Sequence, residues 1–324
     1  MEVGMVSVCE QICLSGIVPV IKFNKAETAI PLAEILIKNN LPIAEVTFRT
    51  DNAEEALRRI ALAFPNMLLG AGTVLTTEQI DRAIDAGAQF IVTPGFNTTT
   101  AEYCLKKQIP VFPGCNTPMA IEQALELGLT HLKFFPAEQS GGIAAIKALS
   151  GPYPMVQFMP TGGITVENLG TYLSNPHVFA CGGSWMVKDE LIDNKDYAKI
   201  ETLVQHAVRE TMGFTLKYIG INHKDSIAAS QAAHKLAEFL MLPIHDAGVS
   251  LFVGTEFELL KEPYYGKNGH IAIGVYSVER VCAWLEKLGY HFKPDTYKYD
   301  ARGRRTFAYM EEEISGFAIR FVNR

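Results

Sequence analysis

Between residue 17 and about residue 212, short apolar runs alternate with helical stretches, and this alternation limits the fold more than any other feature. The runs are Ile17–Ile21, Ile43–Thr47, Met67–Ala71, Phe90–Thr93, Val111–Phe112, Leu132–Phe135, Val156–Met159 and Val178–Ala180. Apolar residues at helical spacing fill the gaps, as over Ala26–Lys38, Ala53–Ala63, Thr77–Ala86 and Thr99–Lys107. Strands separated by helical crossovers form a parallel sheet, and eight such units predict a closed (β/α)8 TIM barrel of the α/β class. A doubly wound open sheet would use fewer strands and usually a Gly-rich first turn, which is absent. The chain has 324 residues, more than one typical domain, so a second domain is expected. The pattern changes near Glu210–Phe214, which predicts a barrel over 1–213 and a smaller α+β domain over 214–324.

Composition narrows the function classes. The chain is 48% hydrophobic and 20% charged, with a formal net charge of -6, and the acidity lies in the N-terminal part. That argues against nucleic acid as a partner. No apolar run approaches the ~18 residues of a membrane span and no leader pattern stands out, so a cytoplasmic enzyme with no membrane partner is expected. Six cysteines (Cys9, Cys13, Cys104, Cys115, Cys181 and Cys282) lack CxxC spacing. This favours thiols in a reducing compartment over a disulfide frame or a zinc site.

The chemistry centres on His131-Leu132-Lys133-Phe134-Phe135-Pro136, which reads as a buried strand closed by a proline. Alternation puts Lys133 and Phe135 on one face. Burying an ammonium is costly, and an amine in such a place is driven toward its neutral, nucleophilic form, as Schiff-base chemistry on a carbonyl requires. Barrel enzymes place their chemistry at the C-terminal ends of the strands. There Glu45, Thr47 and Arg49 share one parity, and Gly70-Ala71-Gly72-Thr73 lets something approach the backbone closely. Pro160-Thr161-Gly162-Gly163 and Cys181-Gly182-Gly183-Ser184 predict two Gly-Gly turns after strands seven and eight, where barrels commonly bind phosphate.

These motifs resemble the pyruvate-type class I aldolases that cleave 2-keto-3-deoxy-6-phosphogluconate and 4-hydroxy-2-oxoglutarate. The matching stretches are Val18-Pro19-Val20-Ile21, Glu45–Thr50, Gly70–Leu75, Lys133–Glu138, Pro160–Ile164 and Gly182-Gly183-Ser184-Trp185, in the family's order. The resemblance covers about two-thirds of the chain. It implies a homotrimeric barrel acting on a small-molecule 2-keto acid, with no cofactor and no metal. Lys133 would form the Schiff base with pyruvate, and Glu45 would transfer protons. Arg49, Thr73 and Pro94 would surround the pyruvyl carboxylate, and Phe135 would wall the pocket. Thr161, Gly162, Gly163, Gly183 and Ser184 would hold the phosphate end of the substrate. A substrate sensor is a rival reading, but it would have no use for Lys133 together with Glu45.

The tail carries a weak internal repeat. Leu216–Ile221, a helix over Ser226–Met241 and strands at Val249–Val253 and Glu256–Leu260 are echoed by a second set. That set is Gly269–Gly274, Val278–Leu288, Tyr297–Tyr299, Thr306–Met310 and Ala318–Val322. Two βαβββ modules of this kind resemble the vicinal oxygen chelate (glyoxalase-like) fold. The resemblance implies metal-ligand positions at Tyr218, Glu258, His270 and Arg320. Only two of these could bind a divalent ion and Arg320 would repel one, so a module without metal is expected, with His270 a hydrogen-bonded sheet residue. A metal-dependent lyase or isomerase is the alternative.

Overall fold

The computed structural model describes residues 7–324. The chain divides into two units, the first ending at Thr211 and the second spanning Met212–Arg324.

The first unit opens with a helix that the alternation does not announce, α1 (Val8–Ser15). The Ser7 hydroxyl accepts from the Glu10 amide, and the Glu10 carboxylate accepts from the Ser7 amide, so a capping box starts it. Gly16, at φ 72°, ends it in the left-handed region and donates its N–H to Ile12. Then come β1 (Ile17–Ile21), α2 (Ala29–Lys38), β2 (Ile43–Thr47), α3 (Ala53–Ala63), β3 (Leu68–Gly72) and α4 (Thr77–Asp85). Next are β4 (Phe90–Val92), α5 (Thr98–Lys106), β5 (Val111–Phe112), α6 (Pro118–Glu126), β6 (His131–Phe134) and α7 (Gly142–Ser150). The unit closes with β7 (Gln157–Pro160), α8 (Val166–Leu173), β8 (Cys181–Gly183), α9 (Asp189–Asp193) and α10 (Tyr197–Met212). Thr76, Asn97 and Thr117 cap α4, α5 and α6 with their side-chain oxygens. A cap of this kind contributes roughly 1 kcal/mol.

The strands are parallel, in the order β5-β4-β3-β2-β1-β8 for one sheet and β6-β7 for another. Single parallel bridges, Gly114↔Lys133 on one side and Phe158↔Val178 and Thr161↔Gly182 on the other, link the two sheets into a (β/α) barrel-like ring. Its strands β1, β2 and β3 are buried along their whole length. Aromatic rings pack edge to face inside, as Phe90 on Phe112 at 5.9 Å and Phe134 on Phe158 at 6.0 Å.

Several strand bounds differ from the sequence expectation, and the last differs most. Val178–Ala180 is buried and apolar, yet pairing with β1 begins only at Cys181↔Ile17. The glycines Gly182 and Gly183 are therefore the end of β8 itself, not a turn after it. Contact explains them: a Cβ on Gly182 would lie 2.3 Å from Thr161 Oγ1, and one on Gly183 would lie 1.9 Å from the Trp185 ring. Strand β6 starts one residue early and releases Phe135, and β7 and β3 each sit one residue later than expected.

The second unit contains β9 (Thr215–Asn222), α11 (Ser226–Leu240), β10 (Ile244–Asp246), β11 (Ser250–Val253) and β12 (Phe257–Leu260). It continues with β13 (Gly269–Val275), α12 (Val278–Lys287), β14 (Lys298–Tyr299), β15 (Arg305–Ile314) and β16 (Phe317–Asn323). Eight strands form one sheet in the order β10-β11-β12-β9-β13-β16-β15-β14. Each half is a βαβββ module, and the halves meet through the antiparallel β9–β13 pair. The repeat read from the sequence is thus present, with β10 as the strand that the pattern did not name. Leu251, Val253 and Leu259 pack on Ala229 and Ala233 of α11, so small helix residues let helix and sheet approach closely.

Close packing in the barrel yields a direct test. A Cβ on Gly70 would meet the fully buried Phe90 ring at 2.1 Å. Gly70→Ala should destabilise the first unit by roughly 1–3 kcal/mol through overpacking. Thermal and denaturant melts measure this, and an unchanged midpoint would mean that the ring does not cross Gly70.

Candidate active site

Lys133 and Glu45 come from strands on opposite sides of the ring, β6 and β2. Lys133 is 4% exposed and Glu45 not at all, and Lys133 Nζ lies 3.4 Å from Glu45 Oε1. Glu45 Oε2 is buried with no hydrogen-bond partner. Gly72, paired with Thr47 two residues along the β2–β3 register, makes room for this carboxylate: a Cβ there would lie 2.0 Å from Oε1. Beyond β6, Phe135 turns its ring under the lysine, with Nζ 5.2 Å from the ring centroid. Asn116 holds the Phe135 carbonyl with a 3.1 Å hydrogen bond.

Arg49 leaves the end of β2 and is exposed, and its Nε donates to Thr73 Oγ1 at 3.2 Å. Thr73 has φ 58°, a left-handed backbone that a β-branched residue rarely adopts. Such a conformation costs on the order of 1–3 kcal/mol and persists where the surroundings impose it, often at functional sites. Pro94 follows β4, and its carbonyl approaches Gly114 so closely that a Cβ there would be 2.1 Å away.

A cavity of about 350 Å³ opens at the C-terminal ends of the strands. Arg49, Phe135, Thr161, Gly162 and Gly163 line it, and Gly183 and Ser184 complete its far side. Lys133, Glu45, Thr73 and Pro94 are not in its lining. Glu45, Lys133 and Thr73 adjoin it through neighbours that are: Thr47, two residues beyond Glu45, the Phe135 ring and the Arg49 side chain. Nothing in the lining touches Pro94, whose close approach is to Gly114. Gly162 and Gly163 take φ 97° and 79°, which needs glycine. The Asn168 side chain fixes their loop, donating to the Gly163 carbonyl at 3.0 Å and accepting from the Thr165 amide at 2.8 Å. Glu138 packs against Gly163 and accepts from the Tyr172 hydroxyl. The bridge between Thr161 and Gly182 turns the Gly162 N–H toward the Gly182 carbonyl, whereas among the described residues the N–H groups of Gly163 and Ser184 have no acceptor within the chain.

Strand parity missed some of the rim. Lys22 follows β1 and pairs with Asp189 of α9 at 3.1 Å, and both line the cavity with Lys188. The available signal was Lys22 itself, a cation on the same strand face as Val20 at a C-terminal strand end.

The family model for KDPG and KHG aldolases matches residues 8–203. The chain belongs to this family. It is 48% identical over 192 residues to a 2-dehydro-3-deoxy-phosphogluconate aldolase of Haemophilus influenzae, covering 59% of this chain and 91% of that one. It is 44% identical to the enzyme of that name in Treponema pallidum, covering 63% and 98%. Among solved structures it is similar to the KDPG aldolase of Legionella pneumophila, with pyruvate captured as a covalent carbinolamine intermediate. That likeness has a TM-score of 0.60 at 40% identity, covering 62% of this chain and 97% of that one. The KDPG aldolase of Zymomonas mobilis ZM4 with 3-phosphoglycerate gives a TM-score of 0.58 at 35% identity, covering 63% and 96%. The protein is a lyase. No helix among the described residues is long and apolar enough to cross a membrane.

The second unit gathers a different cluster on one face of its sheet. Tyr218, Glu258, His270 and Arg320 stand on the adjacent strands β9, β12, β13 and β16. Arg320 and His270 both donate to Glu258 Oε2, each at 3.1 Å, and Ser250 donates to Oε1 at 2.8 Å. The guanidinium also donates to Tyr309 Oη and lies 4.7 Å over the Tyr218 ring. Burial pulls Arg320 down to about 10, still a cation at neutral pH. Gly220 makes space for the imidazole, since a Cβ there would be 2.1 Å from it. His270 is only half satisfied, contrary to expectation: its Nδ1 is buried without a partner. A divalent metal does not suit this donor set, because the one carboxylate is already neutralised by an arginine that cannot coordinate.

This cluster should be costly to break. Glu258→Ala would strand Arg320 in a buried site and destabilise the second unit by roughly 3–5 kcal/mol. The double variant Glu258→Leu/Arg320→Met should lose much less. Chemical denaturation measures both, and equal losses would show that the pair is not mutually dependent.

Proposed function

We propose that the first unit is a complete (β/α)8 barrel and a class I aldolase. It would cleave 2-keto-3-deoxy-6-phosphogluconate to pyruvate and glyceraldehyde 3-phosphate through a Schiff base on Lys133. The observation that carries this reading is the buried Lys133–Glu45 pair beside a cavity with a cationic rim and open backbone amides. Lys133, as the neutral amine, attacks the C2 ketone to give a carbinolamine. Loss of water yields an iminium, whose positive nitrogen draws the electron pair of the C3–C4 bond as the C4 hydroxyl gives up its proton. The aldehyde leaves, and the enamine takes a proton at C3 and is hydrolysed to pyruvate and free lysine. Glu45 would carry the proton transfers, a role supported by one oxygen lying against the lysine and the other having no partner. Positioned acid–base help of this kind contributes ~10²–10⁴-fold. Arg49 offers two N–H donors to the substrate carboxylate, with Thr73 beside it, and Pro94 would complete that end of the pocket. The iminium is the electron sink, so this chemistry calls for no metal.

The phosphate end would rest on Thr161, Gly162, Gly163, Gly183 and Ser184, where the Gly163 and Ser184 amides are open and Lys22 and Lys188 add positive charge. The shorter 4-hydroxy-2-oxoglutarate, giving pyruvate and glyoxylate, is a second substrate of the same pocket. The homotrimer implied by the resemblance is also a proposal, and sedimentation equilibrium tests it. For the second unit we propose a vicinal oxygen chelate-like module in which Arg320 occupies the place of a metal. The support is the pair of βαβββ modules and the convergence of the four expected ligand positions.

Borohydride reduction in the presence of pyruvate should fix one adduct on Lys133, located by peptide mapping, and Lys133→Ala should abolish pyruvate release. An adduct on another lysine would overturn the assignment.

Gly163→Leu should raise KM for the phosphorylated substrate far more than for its unphosphorylated analogue, because its Cβ would also strike Glu138. Equal losses for the two substrates would leave the turn a structural role only.

A further inference from the structure

Cysteine spacing gives no metal motif, yet the fold brings two thiols and an imidazole together. Cys9 and Cys13 are four residues apart on α1 and so share one helix face. His131 is the first residue of β6, two residues before Lys133. One ligand atom from each of the three lies within 4.8 Å of the others, and all three residues are half-buried. Among the described residues no other three His, Cys, Asp or Glu side chains converge in this way. The place is the N-terminal end of the strands, where the Gly16 carbonyl after α1 accepts from the Cys181 amide at the start of β8. The cavity opens at the other end.

We propose that Cys9, Cys13 and His131 form a binding site for a thiophilic divalent cation of the zinc class. Two thiolates and one imidazole are a soft-to-borderline donor set, and three protein ligands leave a fourth tetrahedral position to water. Bonds of about 2.3 Å to sulfur and 2.0 Å to nitrogen put neighbouring ligand atoms of a tetrahedron about 3.5–3.8 Å apart, so a contraction of roughly 1 Å from separations within 4.8 Å closes the site. The His131 ring is held by Thr130 Oγ1, 3.3 Å from Nδ1, and stands edge-on to Phe179 at 5.0 Å between centroids. The competing use of two adjacent thiols is a redox dithiol, and no disulfide joins them here. A cation acts differently, since it displaces the thiol protons as it binds.

The test uses the full-length chain, purified under reducing conditions, stripped with a chelator and titrated with Co²⁺ and then Zn²⁺. One Co²⁺ per chain should bind with a thiolate-to-cobalt charge-transfer band, and Zn²⁺ should displace it. Zn²⁺ should also shield Cys9 and Cys13 from iodoacetamide in the wild-type chain, a readout that needs no variant. Cys9→Ser and Cys13→Ser should each lose the band and weaken binding by more than the ~10–100-fold typical of losing a supporting group. Their pyruvate release should persist, so this proposal fails or stands apart from the aldolase reading. No stoichiometric uptake, no shielding, unchanged binding in both variants, or a Cys9–Cys13 disulfide that persists under reducing conditions would each overturn the site.

Discussion

An amine buried against a carboxylate inside a ring of apolar strands is the constraint on which the first unit turns. Glu45 and Lys133 are 88 residues apart in sequence and 3.4 Å apart in space. Neither β2 nor β6 could tolerate its charge alone, since an isolated buried ion costs several kcal/mol. Closure of the ring supplies the partner, and it does so only because neighbouring backbone makes room. Gly72 clears the carboxylate, and Gly114, bridged to Lys133, clears the Pro94 carbonyl. The glycines that end β3 and follow β5 are therefore conditions for the pair, not incidental turns.

The rim follows a second rule, in which backbone replaces side chain. Around the Gly162–Gly163 loop the side chains serve to fix the backbone. Asn168 ties the loop to the start of α8, and Glu138 packs against it while held by Tyr172. Thr161 and Trp185 fill the spaces where Gly182 and Gly183 carry no Cβ. On the proposed reading, a bound dianion would meet amides already fixed in place, with little ordering cost on binding.

Much of this was legible in the sequence, and the misses have physical causes. Strand β2 reads directly, since Ile43–Thr47 is a strongly apolar run whose polar members share one parity. Strand β8 does not, because Val178–Ala180 looks like a better strand than Cys-Gly-Gly. Local propensity lost there to a tertiary demand for close approach to Thr161. Helix α1 lies before the first strand, outside the alternation that organised the reading. The Cys9, Cys13 and His131 cluster was hidden for a related reason. Spacing rules detect ligands close in sequence, and here a ligand pair on one helix meets a third residue more than a hundred positions away. The residues that could have placed Lys22 and Asp189 at the rim were visible, but only the fold pairs them.

On the reading proposed for the second unit, its sheet face would keep the positions of a metal site and change their physics. Four residues on adjacent strands point to one place, and the cation there is part of the chain. A guanidinium fills that role differently from an ion. It is planar, brings directed N–H donors, and stacks on aromatic faces such as Tyr218 and Phe307 while it neutralises Glu258. It also cannot leave, so Glu258 keeps its counter-charge within the chain. The cost appears at His270, whose Nε2 is engaged by Glu258 while Nδ1 has no partner. A buried donor or acceptor left open in this way costs about 1–3 kcal/mol. The fold meets that cost by packing Tyr218 and Tyr309 edge-on against the imidazole, at 5.9 and 6.0 Å between centroids. Aromatic contacts of this geometry contribute about 0.5–1.5 kcal/mol each beyond the area they bury. Two of them offset a single unpaired nitrogen, and the histidine is held in the core by its aromatic neighbours.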